Sequence, residues 1–229
     1  MIFIKKQDTP PQRFIDATQG LPNYEALQGD NRTIVTDLLL KEQGGLCAIC
    51  ERSKNKFSPT IEHFLPESIF PNLQLNYHNL YVACHICNGS KAHHLIPPYI
   101  FDPRFDPFSS MPEGKRGIKF IYEMVDSKCS VIVSESKYLN QHSAYILQST
   151  LDLMQQNRYS ENEKGYSESS SLLINRATVW KTLQSKLEEL SDDGILSKYR
   201  NMESSENYPE YVSLVTYLFK KQLQKRRLI

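Results

Sequence analysis

The sequence predicts an α+β protein: a small cysteine-stapled module of short strands and turns embedded in a mostly helical chain, with a short β-hairpin after it. Three observations carry this. Two Cys-x-x-Cys pairs, in "LCAIC" and "VACHIC", bracket a stretch of strand and turn signals. The runs "GIKFIYEMV" and "SVIVS", rich in β-branched and aromatic residues, are joined by the short turn "DSK". Apolar residues three and four apart fill much of the C-terminal half. The expected organisation is an N-terminal helical segment (1–45), the cysteine module (46–96), an extended segment with the hairpin (97–140) and a C-terminal helical region (141–229).

Taken in order, residues 10–25 mix turn formers with isolated apolar anchors, which predicts irregular chain or a short helix. "RTIVTDLLLKEQ" places Ile34, Val35, Leu38 and Leu39 at helical spacing, and Gly44 and Gly45 stop the helix just ahead of the first cysteine pair. The proline-punctuated stretch 97–111 should run extended. Beyond the hairpin, residues 143–156 and 172–190 read as helices, the second with Leu173, Trp180, Leu183, Leu187 and Leu190 on one stripe. A third helix is expected to start at Asn207, with Glu210 closing a capping box and Tyr211, Leu214, Val215 and Leu218 on its apolar side. The links between these helices, including "SDDGILSKYRNMESSEN", read as polar connections.

Composition narrows the function classes. A 40% hydrophobic share with 23% charged residues is ordinary for a folded domain and argues against wholesale disorder. The formal net charge of +1 excludes a global positive field drawing the chain onto nucleic acid, so any such binding needs local clusters or a partner. The opening "MIFIKKQDTPPQ" holds too short an apolar run for a signal peptide, and a cytosolic location is expected.

In a reducing compartment, Cys47, Cys50, Cys84 and Cys87 are better explained by metal than by disulfides, because thiolates suit zinc and two Cys-x-x-Cys turns complete a tetrahedral site. All four positions would be filled by sulfur, so such a site is structural and closed to water. Cys129 reads as a small packed hydrophobe in "CSVIVS".

The loop between the pairs holds groups with chemistry. Glu62 and His63 are adjacent in "PTIEHFLP", Asn79 precedes "LYVAC", and Asn88 follows Cys87 at the start of a short helix. A carboxylate, an imidazole and two amides supply oxygen ligands for a hard ion, a base for water and an orienting group for that base. Each also has an ordinary alternative: surface polarity for the Glu-His pair, capping for the asparagines. Neighbours in a regular strand point to opposite faces, so Glu62 and His63 share a site only where the strand bulges or ends; Pro66 is close enough for an ending.

The spacing Cys47-x-x-Cys50, Glu62-His63-x-x-Pro66, Asn79-Leu80, Cys84-x-x-Cys87-Asn88-x-x-Lys91 resembles an HNH endonuclease, whose core is a ββα-metal module. The resemblance implies that His63 is the general base and that Asn79 holds its imidazole through a backbone or side-chain hydrogen bond. It implies that Glu62 and Asn88 ligate a catalytic divalent ion, beside the structural zinc of the four cysteines. Many members have Asp at the position of Glu62 and His at that of Asn88. The oxygen ligands here favour Mg2+ or Mn2+ over a second zinc. Products with 5′-phosphates are implied. Lys91 would contact a neighbouring phosphate, its alternative being a solvated lysine. His78, His85, His93 and His94 fall outside the motif.

The wider layout, "IEHFLPES", "LNYHNLYVACHICNGSK" and then a long helical C-terminal half, resembles a narrower group, the HNH proteins (PtuB type) of Septu anti-phage systems, some encoded beside retrons. That group implies an ABC-like ATPase partner of the PtuA type and a nucleic-acid substrate, DNA first, with RNA such as tRNA open. Within residues 41–100, Lys41, Arg52, Lys54, Lys56 and Lys91 are set against Glu42, Glu51, Glu62 and Glu67, so the module alone should hold nucleic acid weakly. The helices after residue 143 and the tail "KKQLQKRRLI" could dock the partner or form an ordinary helical core with a basic end. A catalytically silent zinc-stapled adaptor is the competing reading.

Overall fold

The computed structural model describes residue 4 and residues 6–91, 119–134, 171–203 and 208–229. It is a mixed α and β protein that divides into two compact units, Met1–Asp106 with Glu206–Glu210, and Pro107–Ser205 with Tyr211–Ile229. The helix expected at 143–156, the extended stretch 97–111, and His93 and His94 lie outside the described residues. Among those described, no helix is long and apolar enough to cross a membrane.

In the first unit, α1 (Gln12–Thr18) and α2 (Gly29–Glu42) pack together, and α2 lies against the antiparallel pair β1 (Pro59–His63) and β2 (Leu80–Cys84). Helix α3 (His85–Lys91) follows β2 directly and packs on both strands. Phe14, Val35, Leu39, Leu40, Ile61, Leu80 and Val82 form the core. β2 is buried along its whole length, because β1 covers one edge and α2 one face.

The other edge of β2 is met by a side chain and by the Ala48 N–H, which bonds the Val82 carbonyl at 3.0 Å. Gln43, 1% exposed, donates its amide to the Val82 carbonyl at 2.8 Å and accepts the Val82 N–H at 2.7 Å. An amide side chain thus satisfies both backbone groups of a buried residue.

Gly44 and Gly45 end α2 as the sequence predicts, both with positive φ, and the Gly45 N–H returns to the Leu40 carbonyl at 2.8 Å. At Gly44 an added Cβ would sit 2.4 Å from the Tyr208 ring, whereas at Gly20, also at positive φ, it would meet nothing within 4 Å. Gly44→Ala should therefore cost about 1–3 kcal/mol, from backbone strain plus a clash, and Gly20→Ala only the strain. Urea unfolding of both variants checks this; equal losses would show that the Tyr208 contact does not matter.

In the second unit, β3 (Lys119–Val125) and β4 (Lys128–Ser134) form the expected hairpin, closed by Asp126 and Ser127 with Asp126 at φ 54. Helix α4 (Leu172–Glu189) packs on β4 and on α6 (Val212–Lys225), which also carries α5 (Asp192–Glu203). Trp180 and Leu187 are buried as expected, but Leu172 rather than Leu173 faces inward. Cys129 is fully buried, and its thiol is pushed up to about 11 by that burial. It is the packed hydrophobe the sequence predicts.

Two expectations need correction. Residues 192–203, read as a polar link, are helix α5: the Ser191 hydroxyl caps the Gly194 N–H at 3.2 Å, two aspartates sit in the first turn, and Ile195 is fully buried. The last helix starts at Val212, not at Asn207, after Tyr211 at φ 56. Glu210 closes no capping box because its carboxylate accepts the Ser53 N–H at 2.8 Å and pairs with Lys56 at 2.7 Å. In the basic tail, Arg226 donates to the Leu187, Glu188 and Leu190 carbonyls, so it satisfies the C-terminus of α4.

Candidate functional site

The first cysteine pair sits on a tight turn. Cys47 N–H bonds the Arg52 carbonyl at 2.9 Å, Glu51 N–H returns to the Cys47 carbonyl at 3.0 Å, and Glu51 takes the left-handed conformation that closes the turn. The second pair spans the junction of β2 and α3, where the Cys87 N–H points at Cys84 Sγ at 3.4 Å. The Cys84 N–H points at Cys47 Sγ at 3.3 Å, tying the two turns together.

All four thiols are buried, none is in a disulfide, and their sulfurs lie within 4.8 Å of one another. A tetrahedral ion with metal–sulfur bonds of about 2.3 Å needs sulfurs about 3.8 Å apart; Cys50 and Cys84 are 3.9 Å apart. Thiols this close cannot ionise independently. Hydrogen bonds from its neighbours, Cys47 first, hold Cys84 far below the usual thiol range and Cys50 at about 7; Cys47 is pushed well up, chiefly by burial, and Cys87 by its hydrogen bonds to the other sulfurs. The cluster can hold a metal such as zinc, which would neutralise the thiolates that burial otherwise penalises.

Beside this cluster, on the side of β1 and α3, is a cleft of about 360 Å³ lined by Tyr24, Arg32, Glu62, His63, Glu67, Asn88 and Lys91, among others. Glu62 and His63 reach one cleft although they are neighbours, because β1 ends at His63. Phe64 N–H still bonds the Asn79 carbonyl at 2.9 Å, after which the chain turns away at Pro66.

The His63 imidazole is held from two sides. Its Nε2 lies 2.9 Å from the Gln74 carbonyl, and its ring meets the edge of Tyr24 with centroids 4.6 Å apart. A carbonyl only accepts, so Nε2 carries the proton and Nδ1 keeps its lone pair. Burial lowers the His63 pKa below its ordinary value and so favours the neutral ring, against the opposite pull of the Gln74 carbonyl and Glu67.

Asn79, expected to hold the imidazole, bonds elsewhere. Its side chain accepts the Leu65 N–H at 2.8 Å and donates to the Leu65 and Leu73 carbonyls, both at 3.1 Å. It braces the loop that ends in Gln74, one step removed from the ring. The orienting atom is a backbone oxygen, which has no signature in sequence.

Glu62 is 6% exposed and its Oε1 pairs with Lys91, whose ammonium also donates to the His63 carbonyl at 2.6 Å. Burial outweighs Lys91 and pushes the Glu62 carboxyl up to about 7. Lys91, at 3% exposure, is neither solvated nor turned outward to a phosphate. Asn88 commits its amide nitrogen to Thr60 Oγ1 at 3.0 Å and to the Ile61 carbonyl at 3.4 Å, so its oxygen is what it offers the cleft. Glu62 Oε2 and Asn88 Oδ1 are thus suited to a hard divalent ion. His85 is exposed and His78 bonds the Asp8 carbonyl at 3.1 Å; neither lines the cleft.

The raised Glu62 carboxyl has a consequence for stability. Its folded value of about 7 exceeds the ordinary 4.5, so the folded state binds more protons between those values. Its contribution is complete below 4.5 and is lost as pH rises through 7, a change of roughly 3 kcal/mol. Without added Mg2+ or Mn2+, wild type should lose stability relative to Glu62→Gln across that window. Parallel pH profiles in urea melts would refute it.

Tyr24, Arg32, Glu67 and Gln74 were not singled out from sequence. Glu67 alone had a local cue, four residues after His63, and its Oε2 lies 3.7 Å from Nε2.

No protein-family model matches the chain. The chain is 33% identical over 100 residues to the Septu protein PtuB of Bacillus thuringiensis, a match that covers 41% of this chain and 38% of that protein. The chain thus spans well under half the length of the curated relative it matches.

Proposed function

We propose that the chain is a metal-dependent HNH-type endonuclease that hydrolyses nucleic-acid phosphodiester bonds in an anti-phage defence system, working with an ABC-like ATPase of the PtuA type. The observation that carries the reading is one cleft holding a neutral imidazole oriented by a carbonyl, a buried carboxylate and an amide oxygen, beside a four-thiol cluster. The partial likeness to a Septu protein supports the defence role and the partner.

In this reading His63 Nδ1 takes the proton of a water as its oxygen attacks phosphorus, and the bond from phosphorus to the leaving 3′ oxygen breaks. The leaving oxygen takes a proton from solvent. Gln74 fixes the ring and shares the charge that His63 gains, and Asn79 keeps Gln74 in place through the Leu73 carbonyl. Glu62 and Asn88 would hold Mg2+ or Mn2+, which when bound supplies positive charge for the phosphate and the leaving oxygen. With zinc bound, the four cysteines would hold β2 to α3 and so fix Asn88 relative to Glu62.

The second reading, a silent zinc-stapled adaptor, is favoured by one feature: Lys91 already occupies one oxygen of Glu62. Co-expression with the genomic neighbour, purification of the complex, and cleavage of plasmid DNA and total tRNA with Mg2+ or Mn2+ separate the two. Metal-dependent cleavage supports the nuclease, and the polymer cut identifies the substrate. Absence of cleavage in every nucleotide state supports the adaptor.

A further inference from the structure

A phosphodiester entering this cleft brings negative charge beside Glu67 and the Lys91-paired Glu62, so a cation with free donors would favour its binding in addition to any divalent ion. Lys91 is spent: it is buried, and its ammonium is shared between Glu62 and the His63 carbonyl. Among the described residues, the other cation lining the cleft is Arg32, half-buried on α2. Its guanidinium lies 5.2 Å from the Tyr24 ring centroid and donates from Nη2 to the Tyr24 hydroxyl at 3.0 Å. Among the described residues no carboxylate pairs with it. A guanidinium has five N–H donors, and the tyrosine uses one.

We propose that Arg32 binds a phosphate of the nucleic-acid backbone in this cleft, taking the role that the sequence motif assigns to Lys91. The inference rests on the nuclease reading and adds a substrate-binding residue to it. Tyr24 touches both partners, its hydroxyl on Arg32 and its ring edge on His63, so the bound phosphate and the imidazole are held from one aromatic ring. A planar fork can grip two oxygens of one phosphate at once, which fixes the phosphodiester's orientation as well as its charge.

The test uses the full chain with His63→Ala, so that bound polymer is not cut, and follows fluorescence anisotropy of a labelled DNA duplex and a labelled tRNA across a salt series. Adding Arg32→Ala should weaken binding about 10-fold and reduce the slope of log affinity on log salt by about one. Arg32→Lys should keep the slope while losing roughly 3-fold in affinity, because charge remains and the fork does not. Tyr24→Phe should fall between wild type and Arg32→Ala. A loss on one polymer only identifies which backbone the cleft takes. An unchanged slope in Arg32→Ala, or no binding of either polymer, overturns the proposal; a variant that melts early is replaced by Arg32→Lys, whose affinity must still fall. In parallel, cleavage by the otherwise wild-type chain is compared with Arg32→Ala. His63-dependent cleavage with an unchanged KM in Arg32→Ala removes the phosphate role and leaves the nuclease reading standing. Cleavage that survives His63→Ala removes the nuclease reading itself, while the binding series still decides Arg32.

Discussion

If the proposed nuclease reading holds, replacing His63 with alanine should leave a folded protein of unchanged metal content that has lost cleavage by about 10²–10⁴-fold, the usual contribution of a positioned general base. Folding should survive because the imidazole lies at the end of β1 and contributes one bond to a carbonyl and one ring contact, not a place in the core. The carbonyl it leaves behind, Gln74 O, loses its imidazole partner, and the space the ring vacates can admit a water to it. Thermal melting and zinc content of the variant separate a chemical loss from a structural one. Retained cleavage in a folded variant would remove His63 from the mechanism and return the cleft to a binding role.

The second large effect belongs to the cysteines. Stripping metal, or replacing Cys84 with serine, should abolish cooperative folding of the first unit, since structural zinc contributes on the order of 10 kcal/mol or more to domains of this kind. Cys84 is the most consequential of the four: it ends β2, its Sγ receives the Cys87 N–H, and its own N–H points at Cys47 Sγ. Far-UV circular dichroism and metal analysis should be used together. The sole tryptophan, Trp180, belongs to the second unit, and its fluorescence reports on that unit. A metal-free chain with an unchanged melting profile would show that the thiols hold the fold without an ion.

How much of this could be read from sequence depended on how local each signal was. The cysteine turns carry their spacing within four residues, and the hairpin carries its period within each strand, so both were legible. The end of β1 at His63 was legible through Pro66. Helix α5 was not, because a short amphipathic helix with Ile195 as its buried anchor hides among serines, aspartates and glycine; the cap at Ser191 was its one local sign. At the cleft, Glu62, His63 and Asn88 stood out by residue type and spacing. Gln74 did not, since it acts through its backbone. Tyr24 and Arg32 come from chain that precedes the first cysteine, and tertiary contacts bring them to the cleft: α2 packs against β1, and the Tyr24 N–H bonds the Gln74 side chain at 3.1 Å. Lys91 was legible as a residue and misread in placement: its long stem lets a helix-borne ammonium reach inward to Glu62.

The Gln43 side chain that closes on Val82 bears on how this protein behaves in company. A sheet of only two strands is nearly all edge, and an open edge beside a buried apolar strand is a template on which a second molecule can add its own strand. With one side of β2 paired to β1 and Val82 on the other side engaged by the Gln43 amide and the Ala48 N–H, neither of them part of a strand, a second molecule finds no free backbone groups at this point. Gln43→Ala would leave the Val82 N–H without this partner, and its cost is expected to show as lost solubility at high concentration, measurable by light scattering.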